Sequence, residues 1–546
     1  MNSLRELSKK FANSGIGITP SAAELLIESP STHDLVTFIL ANSSDYTVLA
    51  AGDIAAIIDD HQRIIDNQES ISSDNSASTA ESTEPTETTR IDTTSGLTAL
   101  TEPAVSSEGT VYIGDTDPVS GHTAEKRWSR AFDNTLISTV PNSISRSTEN
   151  RSIQIQNDIT GGSTTVGEVA DFTKLFKDRL EKLSAILREK MSGKLPIDKL
   201  EYHAGEEVPV IGIVNKQWTS QNDNFMIEIE DTSGVSRAVF TDDEFKDTGD
   251  KVVTDEVVGI RGTVSDDAGI IFGDQLVFPD VPPMNMPQTA NRSVRVALLS
   301  DIHFGAVDFA FEKWQKFVHW MRTADEAADI EYILIAGDLV EGIGVYPGQE
   351  DELDIIDVYD QYELCAQGLA QLPSNIDIIS IMGNHDAVRL AEPQPGLNSK
   401  FTNTFPENVT VIGNPAKIIL EDVEFLLYHG MSLNPLTDRV PGLDIHDPTD
   451  AMRLMLEKRH LAPIYGQNVR YAPEHEDYLV IDTIPDVIHT GHVHTFGMKR
   501  YKGVTMINSG CWQYQTEFQR KLNIEPTVGT VPVIDLYDLS RETYSF

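Results

Sequence analysis

Five short segments of this chain combine the side chains that hold transition-metal ions. They are Asp301-Ile302-His303, Gly337-Asp338, Gly383-Asn384-His385-Asp386, His429-Gly430 and Gly491-His492-Val493-His494. Each follows a strand-like apolar run, at 294–299, 332–336, 376–382, 423–428 and 487–488. Polar residues at strand ends collect along one edge of a sheet-based fold, so segments distant in sequence can meet. In an Asp-x-His or His-x-His pair, an extended backbone sets both side chains on one face, where both can approach one cluster. The flanking glycines allow tight turns and close backbone approach. Any one of these segments is a weak signal, because a lone His beside a strand is more often a hydrogen-bonded core residue. Five in order are a strong one, since each of these polar groups would be costly to bury without a partner.

A donor set of carboxylate, amide and imidazole without thiolates suits Mn²⁺, Fe²⁺ or Zn²⁺, with Mg²⁺ a weaker alternative because it favours an all-oxygen shell. The motif order D-x-H, G-D, G-N-H-D, H and G-H-x-H resembles that of the calcineurin-like metallophosphoesterases over roughly residues 294–510. The resemblance implies an αββα sandwich binding two divalent ions, Mn²⁺ first among the candidates. Asp301, His303 and His494 would then hold one ion, Asn384, His429 and His492 the other, and Asp338 would bridge them. It also implies that His385 is catalytic and that Asp386 orients it. Two such ions about 3.5 to 4 Å apart activate a water and clamp phosphate oxygens. Glu341 and Asp444 are expected to be solvated carboxylates, and His319, His446 and His460 structural residues. His489 is expected to be a packed core histidine.

The elements that must position these residues come late in a chain of 546 residues, long enough for two or three units. Residues 1–66 read as a small helical domain, with helix-start signals before 22–27, 35–40 and 54–58. Residues 67–167, rich in Ser, Thr, Glu and Asp, cannot bury enough apolar surface to order themselves and are expected to form a disordered linker. A helical connector follows at 168–198. Short strands at 208–214, 225–230, 236–241, 256–264 and 269–278, with a turn at Asp231-Thr232-Ser233-Gly234, predict an OB-type barrel over 199–285. The metallophosphoesterase domain is expected over 293–546.

Composition limits the biology. Cys365 and Cys511 are the only cysteines, so no disulfide framework exists and both are expected to be packing residues. No apolar run reaches the roughly 18 residues of a membrane span, and the N-terminus has no signal-peptide core, so a cytoplasmic protein without a membrane partner is expected. The formal charge of −43, from 85 acidic and 42 basic residues, is dispersed along the chain. Such a field repels nucleic acid unless salt screens it, so a haloarchaeal, high-salt cytoplasm is expected for a DNA-handling protein.

The layout of helical N-terminus, linker, barrel and late phosphoesterase resembles the small subunits of archaeal family D DNA polymerases. The stretch Ile507-Asn508-Ser509-Gly510-Cys511-Trp512-Gln513 and the segments that follow it to Val533 carry the same resemblance. It implies a 3′→5′ exonuclease that removes mispaired nucleotides from a DNA primer 3′ end, bound to a large catalytic subunit. A sliding clamp is a further candidate partner. Three alternatives compete: a non-catalytic scaffold subunit, a double-strand-break repair nuclease, and a phosphatase or phosphodiesterase of the same superfamily. About 300 residues precede the first motif, which argues against the repair nuclease.

Overall fold

Ile330–Ile335 is buried along its whole length, as a parallel strand covered on both faces must be. It sits inside one of two six-stranded sheets of the computed structural model, which describes residues 151–546 apart from 268, 347, 467 and 468. Trp128, Asn142, Ile144 and Arg146 are also described, with the backbone at 17–18 and 48–49. The chain divides into units 1–112 and 113–546. In the first, Gly17–Ile18 pairs in parallel with Val48–Leu49. The three helices expected in 1–66, and most of the linker, lie outside the described residues.

The second unit begins with a correction. Residues 151–167 do not belong to a disordered linker. β1 (Ile153–Gln156) pairs antiparallel with the edge of a sheet, and Ser163, Thr164 and Thr165 hydrogen-bond the buried carboxylate of Glu474. Upstream, Trp128 packs on Phe309 and Phe311 at centroid distances of 5.1 and 4.2 Å, and Arg146 donates to the carbonyls of Met321 and Ala327. A polar segment is ordered here because it borrows a sheet edge, a core and buried acceptors that already exist.

Next comes α1 (Val169–Leu187), then β2 (Glu207–Thr219), β3 (Phe225–Glu230), β4 (Val235–Phe240), β5 (Val257–Val264) and β6 (Ile271–Val277). These strands close into a barrel in the order β2-β3-β4-β6-β5. Alternating residues fill it, among them Val208, Val210, Ile227, Ile229, Ala238 and Ile260. Phe225 and Phe240 stack on each other inside, 5.6 Å apart, so neither forms an external base platform. α1 lays Leu183 and Leu187 on the barrel and Leu175 on the domain that follows.

That domain has four layers. One sheet holds β7 (Arg295–Leu299), β8 (Ile330–Ile335), β9 (Asp377–Ser380), β10 (Val409–Val411), β16 (Thr530–Asp535) and β17 (Arg541–Ser545), in the order β10-β9-β8-β7-β16-β17. The other holds β11 (Ala416–Leu420), β12 (Val423–Leu427), β13 (Val487–Thr490), β14 (Phe496–Tyr501) and β15 (Val504–Ser509), ending on β1. Their facing sides share one core, including Val296, Leu334, Ile379, Ile418, Phe425 and Ile507. α2 (Phe311–Thr323) and α3 (Val358–Ala370) cover the first sheet. α4 (Thr449–Lys458) covers the second. β7, β8 and β9 run parallel, as do β12 and β13, so their C-terminal ends converge along one edge.

Two buried ionic contacts tie the barrel and α1 to that domain. Lys458 at the end of α4 reaches Glu256 beside β5, 2.7 Å away, with both side chains 1% exposed and the ammonium over the Phe278 ring. Removing one member strands the other, so Glu256→Gln should lower stability by roughly 3–5 kcal/mol in a denaturant titration, and the double change Glu256→Leu/Lys458→Met by much less. The second contact joins Arg179 of α1 to Asp477, which also accepts from His460 Nε2 at 3.0 Å. Burial and then Arg179 lower the His460 pKa to about 4, against about 6.5 in the unfolded chain. Between those values the unfolded state binds a proton that the native state does not, so stability falls as pH falls from about 6.5 to about 4. His460→Asn should reduce that slope by about 1.4 kcal/mol per pH unit, measured by urea melts across the window.

Candidate metal centre

The seven candidate ligands gather at the converging strand ends. Asp301 and His303 follow β7, Asp338 follows β8, Asn384 follows β9, His429 follows β12, and His492 and His494 follow β13. The expectation that D-x-H and H-x-H segments are extended is corrected. Asp301, His303, Asp338, His492 and His494 all have left-handed backbones, with φ of 50, 57, 52, 71 and 59°. The loops coil tightly after each strand, and ladder-like bonds hold them: Ile302 N–H and His303 N–H both donate to the Asp338 carbonyl. Two glycines make room for the carboxylates. A Cβ on Gly383 would lie 2.1 Å from Asp338 Oδ1, and one on Gly491 2.3 Å from Asp301 Oδ2.

Hydrogen bonding fixes which ring nitrogens face inward. His429 Nδ1 lies 2.8 Å from the Ala336 carbonyl, an acceptor only, so Nδ1 carries the hydrogen. Its Nε2 then faces Asn384 Oδ1 at 3.0 Å and Asp338 Oδ2 at 3.3 Å, two further oxygens. His303 Nδ1 sits 2.8 Å from Glu341 Oε2, which leaves its Nε2 facing His494 Nε2 at 3.1 Å. Asp301 Oδ1 is 3.4 Å from His494 Nε2, and Asp338 Oδ2 is 3.8 Å from His303 Nε2. His429 and His303 thus turn bare nitrogens into the cluster, whereas His494 Nδ1 accepts from the Gln519 amide nitrogen at 2.8 Å, so its neutral ring carries the hydrogen on Nε2, toward Asp301 Oδ1 and His303 Nε2. Burial would lower the His429 pKa, but Asp338 and Asp301 raise it to about 10, so without a cation a proton occupies this ring. Such a donor set fits divalent cations.

The donor atoms of Asp301, His303 and His494 lie within 4.8 Å of one another, as do those of Asp301, Asp338 and His429. Asp338 Oδ2 approaches rings of both groups. His492 stands alongside with its ring 5.1 Å from that of His429 and its N–H donating to Asp301, but its ring is not part of those triads.

His385 packs edge-on against His303, centroids 4.8 Å apart. Its Nδ1 is 2.7 Å from the Glu341 carbonyl, so Nδ1 is again the donor and Nε2 the atom that can exchange a proton. Asp386 does not orient this ring, contrary to expectation. Its carboxylate accepts from the amides of Asp338, Leu339 and Gly383 and from the Tyr362 hydroxyl, and so holds the loops after β8 and β9 together.

Glu341 corrects the sequence reading in the opposite direction. It is buried rather than solvated, contacts His303 and His385, and accepts from Gln349 and Gln513. Burial would raise its pKa, but the two histidines hold it at about 2. Its position three residues after Asp338 was the available signal. Asp444 and His446 are exposed, whereas His489 is buried with Nε2 3.0 Å from Ser509 Oγ. The ligands open into a cavity of about 520 Å³ whose lining also includes Tyr346, Gln513, Phe518 and Leu522.

Residues 294–496 match the calcineurin-like phosphoesterase family. The DNA polymerase II small subunit of Halobacterium salinarum is 44% identical over 400 residues, 72% of this chain and 78% of that one. The chain belongs to the DNA polymerase II small-subunit family. The relative from Archaeoglobus fulgidus, of the same name, is 42% identical over 391 residues, 70% of this chain and 78% of its own. That from Pyrococcus abyssi is 40% identical over 395 residues, 69% and 63% respectively. The small-subunit resemblance that the layout and the C-terminal stretch suggest is thereby shown. In this small-subunit chain the Glu341 carboxylate lies 2.8 Å from Nδ1 of His303, so Glu341→Ala should weaken Mn²⁺ binding by about 10- to 100-fold in calorimetric titration.

Proposed function

We propose that this chain is the small subunit of a two-subunit DNA polymerase and removes mispaired nucleotides as a metal-dependent 3′→5′ exonuclease. One observation carries the reading: every ligand type of the phosphoesterase motifs is retained and gathered at one cavity that His385 also lines. Asp301, His303 and His494 form one ligand group and Asn384, His429 and His492 the other, with Asp338 shared. Bound there, two divalent cations, Mn²⁺ first, would lower the pKa of water and neutralise phosphoryl oxygens.

The chain's own residues do the rest. Hydrolysis breaks the bond between phosphorus and the 3′ oxygen of the penultimate nucleotide and releases a nucleoside 5′-monophosphate. His385, with Nδ1 held at the Glu341 carbonyl, gives the proton on Nε2 to that leaving oxygen. Glu341 holds His385 and His303 in register, and Asp386 braces the loops that carry Asp338 and Asn384. We read the closed barrel, with its order β2-β3-β4-β6-β5, as OB-type. Its internal aromatics favour a structural or subunit-binding role over single-strand capture. The large subunit that synthesises DNA is the expected partner, and the cytoplasm the expected compartment.

A scaffold subunit without activity is the competing reading, and His385→Ala separates the two. Exonuclease activity on a mismatched primer end, assayed with Mn²⁺ at high KCl, should fall by about 10²- to 10⁴-fold while large-subunit binding on gel filtration survives. Cleavage that persists in chelator, or none with any metal, would sink the enzyme reading.

A further inference from the structure

We propose that the apolar wall of the metal-centre cavity receives the base of one unpaired terminal nucleotide, so that the site selects frayed ends over paired ones. The inference rests on the exonuclease reading above and names how that site recognises its substrate.

The cavity lining combines candidate ligands and His385 with the apolar side chains of Phe518, Leu522, Ile524, Ile445 and Val493, and the Tyr346 ring lies 6.3 Å from that of His385. At about 520 Å³ it lies in the range that encloses one small molecule and is far too small for a duplex end.

Phe518 and Leu522 are 63% and 54% exposed, although the segment that bears them is firmly held. Thr516 and Gln519 form a reciprocal capping box over Glu517–Lys521, and the Gln519 amide nitrogen lies 2.8 Å from His494 Nδ1. An anchored helix turn therefore displays a bare aromatic ring beside a metal ligand.

Charge narrows the occupant. Among the described residues the cavity lining includes Asp338, Glu341 and Glu352 and no Lys or Arg, in a chain of net charge −43. A second strand's phosphates find no cation in that wall, whereas a base needs only an apolar face on which to stack. A correctly paired terminal base must first unpair and unstack to enter, a cost that a mismatched terminus has largely met already.

The test uses the two-subunit enzyme with Mn²⁺ at high KCl and two single-stranded oligonucleotides, one ending in adenine and one in an abasic nucleotide. The adenine end should be cleaved about tenfold faster. That ratio should approach one in Phe518→Ala/Leu522→Ala and be restored in Phe518→Trp/Leu522→Ala. A terminal 2-aminopurine should be quenched on binding to His385→Ala and not when the two wall substitutions are added. Equal wild-type rates on the two ends, or an unchanged ratio in the double variant, would overturn the inference alone. So would loss of the large subunit from the double variant, which would make this wall a subunit contact. Failure to cleave any DNA end would remove the exonuclease reading and the inference with it.

Discussion

The centre depends on imidazole rings whose outer nitrogens are committed as donors. His429 gives its Nδ1 hydrogen to a backbone carbonyl and His303 directs its own toward a buried carboxylate, so each turns a bare nitrogen into the cluster. Around His429, whose Nε2 meets Asn384 Oδ1 at 3.0 Å and Asp338 Oδ2 at 3.3 Å in a water-poor interior, such an arrangement is repulsive unless a positive charge sits within it. Protons on His429 and His494, both with raised pKa values, can serve, and so can cations, which makes binding and local stability one quantity.

The two-sheet architecture is what makes this crowding tolerable. Three parallel strand ends from one sheet and two from the other deliver the ligands from opposite sides, so no single loop carries the whole repulsion. Five of the ligands also occupy left-handed backbone, a strain of order 1–3 kcal/mol each that the surrounding bonds must offset. Those bonds are specific. The Asp386 carboxylate gathers three amides from two loops, and the Asp338 carbonyl receives two from the first. Glu341 and Asp386 thus divide the labour: one sets ring orientation, the other sets loop geometry.

Much of this was legible in the sequence, for a physical reason. Metal ligands must be particular residue types, and strand ends must follow apolar runs, so both leave marks that survive without coordinates. The five barrel strands were legible in the same way, through alternation and turn residues such as Asp231 and Gly234. Backbone handedness was not, because Asp and His enter the left-handed region only when the fold compels them. Nor were the partners of Asp386 and Glu341, since adjacency in sequence says little about which carboxylate a buried ring will meet. The ordering of residues 151–167 was hidden for a third reason: their local composition is polar, and their structure comes from an edge strand and a buried Glu474 supplied by residues far away.

The charge distribution sets the remaining constraint on how such a centre can engage a polyanion. A net charge of −43 gives no long-range attraction to DNA, and among the described residues the cavity lining adds three carboxylates and no Lys or Arg. Productive contact must therefore come from short-range terms that salt does not screen, namely coordination of phosphoryl oxygens and burial of apolar surface. A partner subunit that holds the DNA would supply the residence time that this chain's electrostatics do not. On the proposed exonuclease reading the acidic surface and the crowded centre fit together: the chain would act on an end delivered to it, and its own field would discourage engagement of DNA that is not.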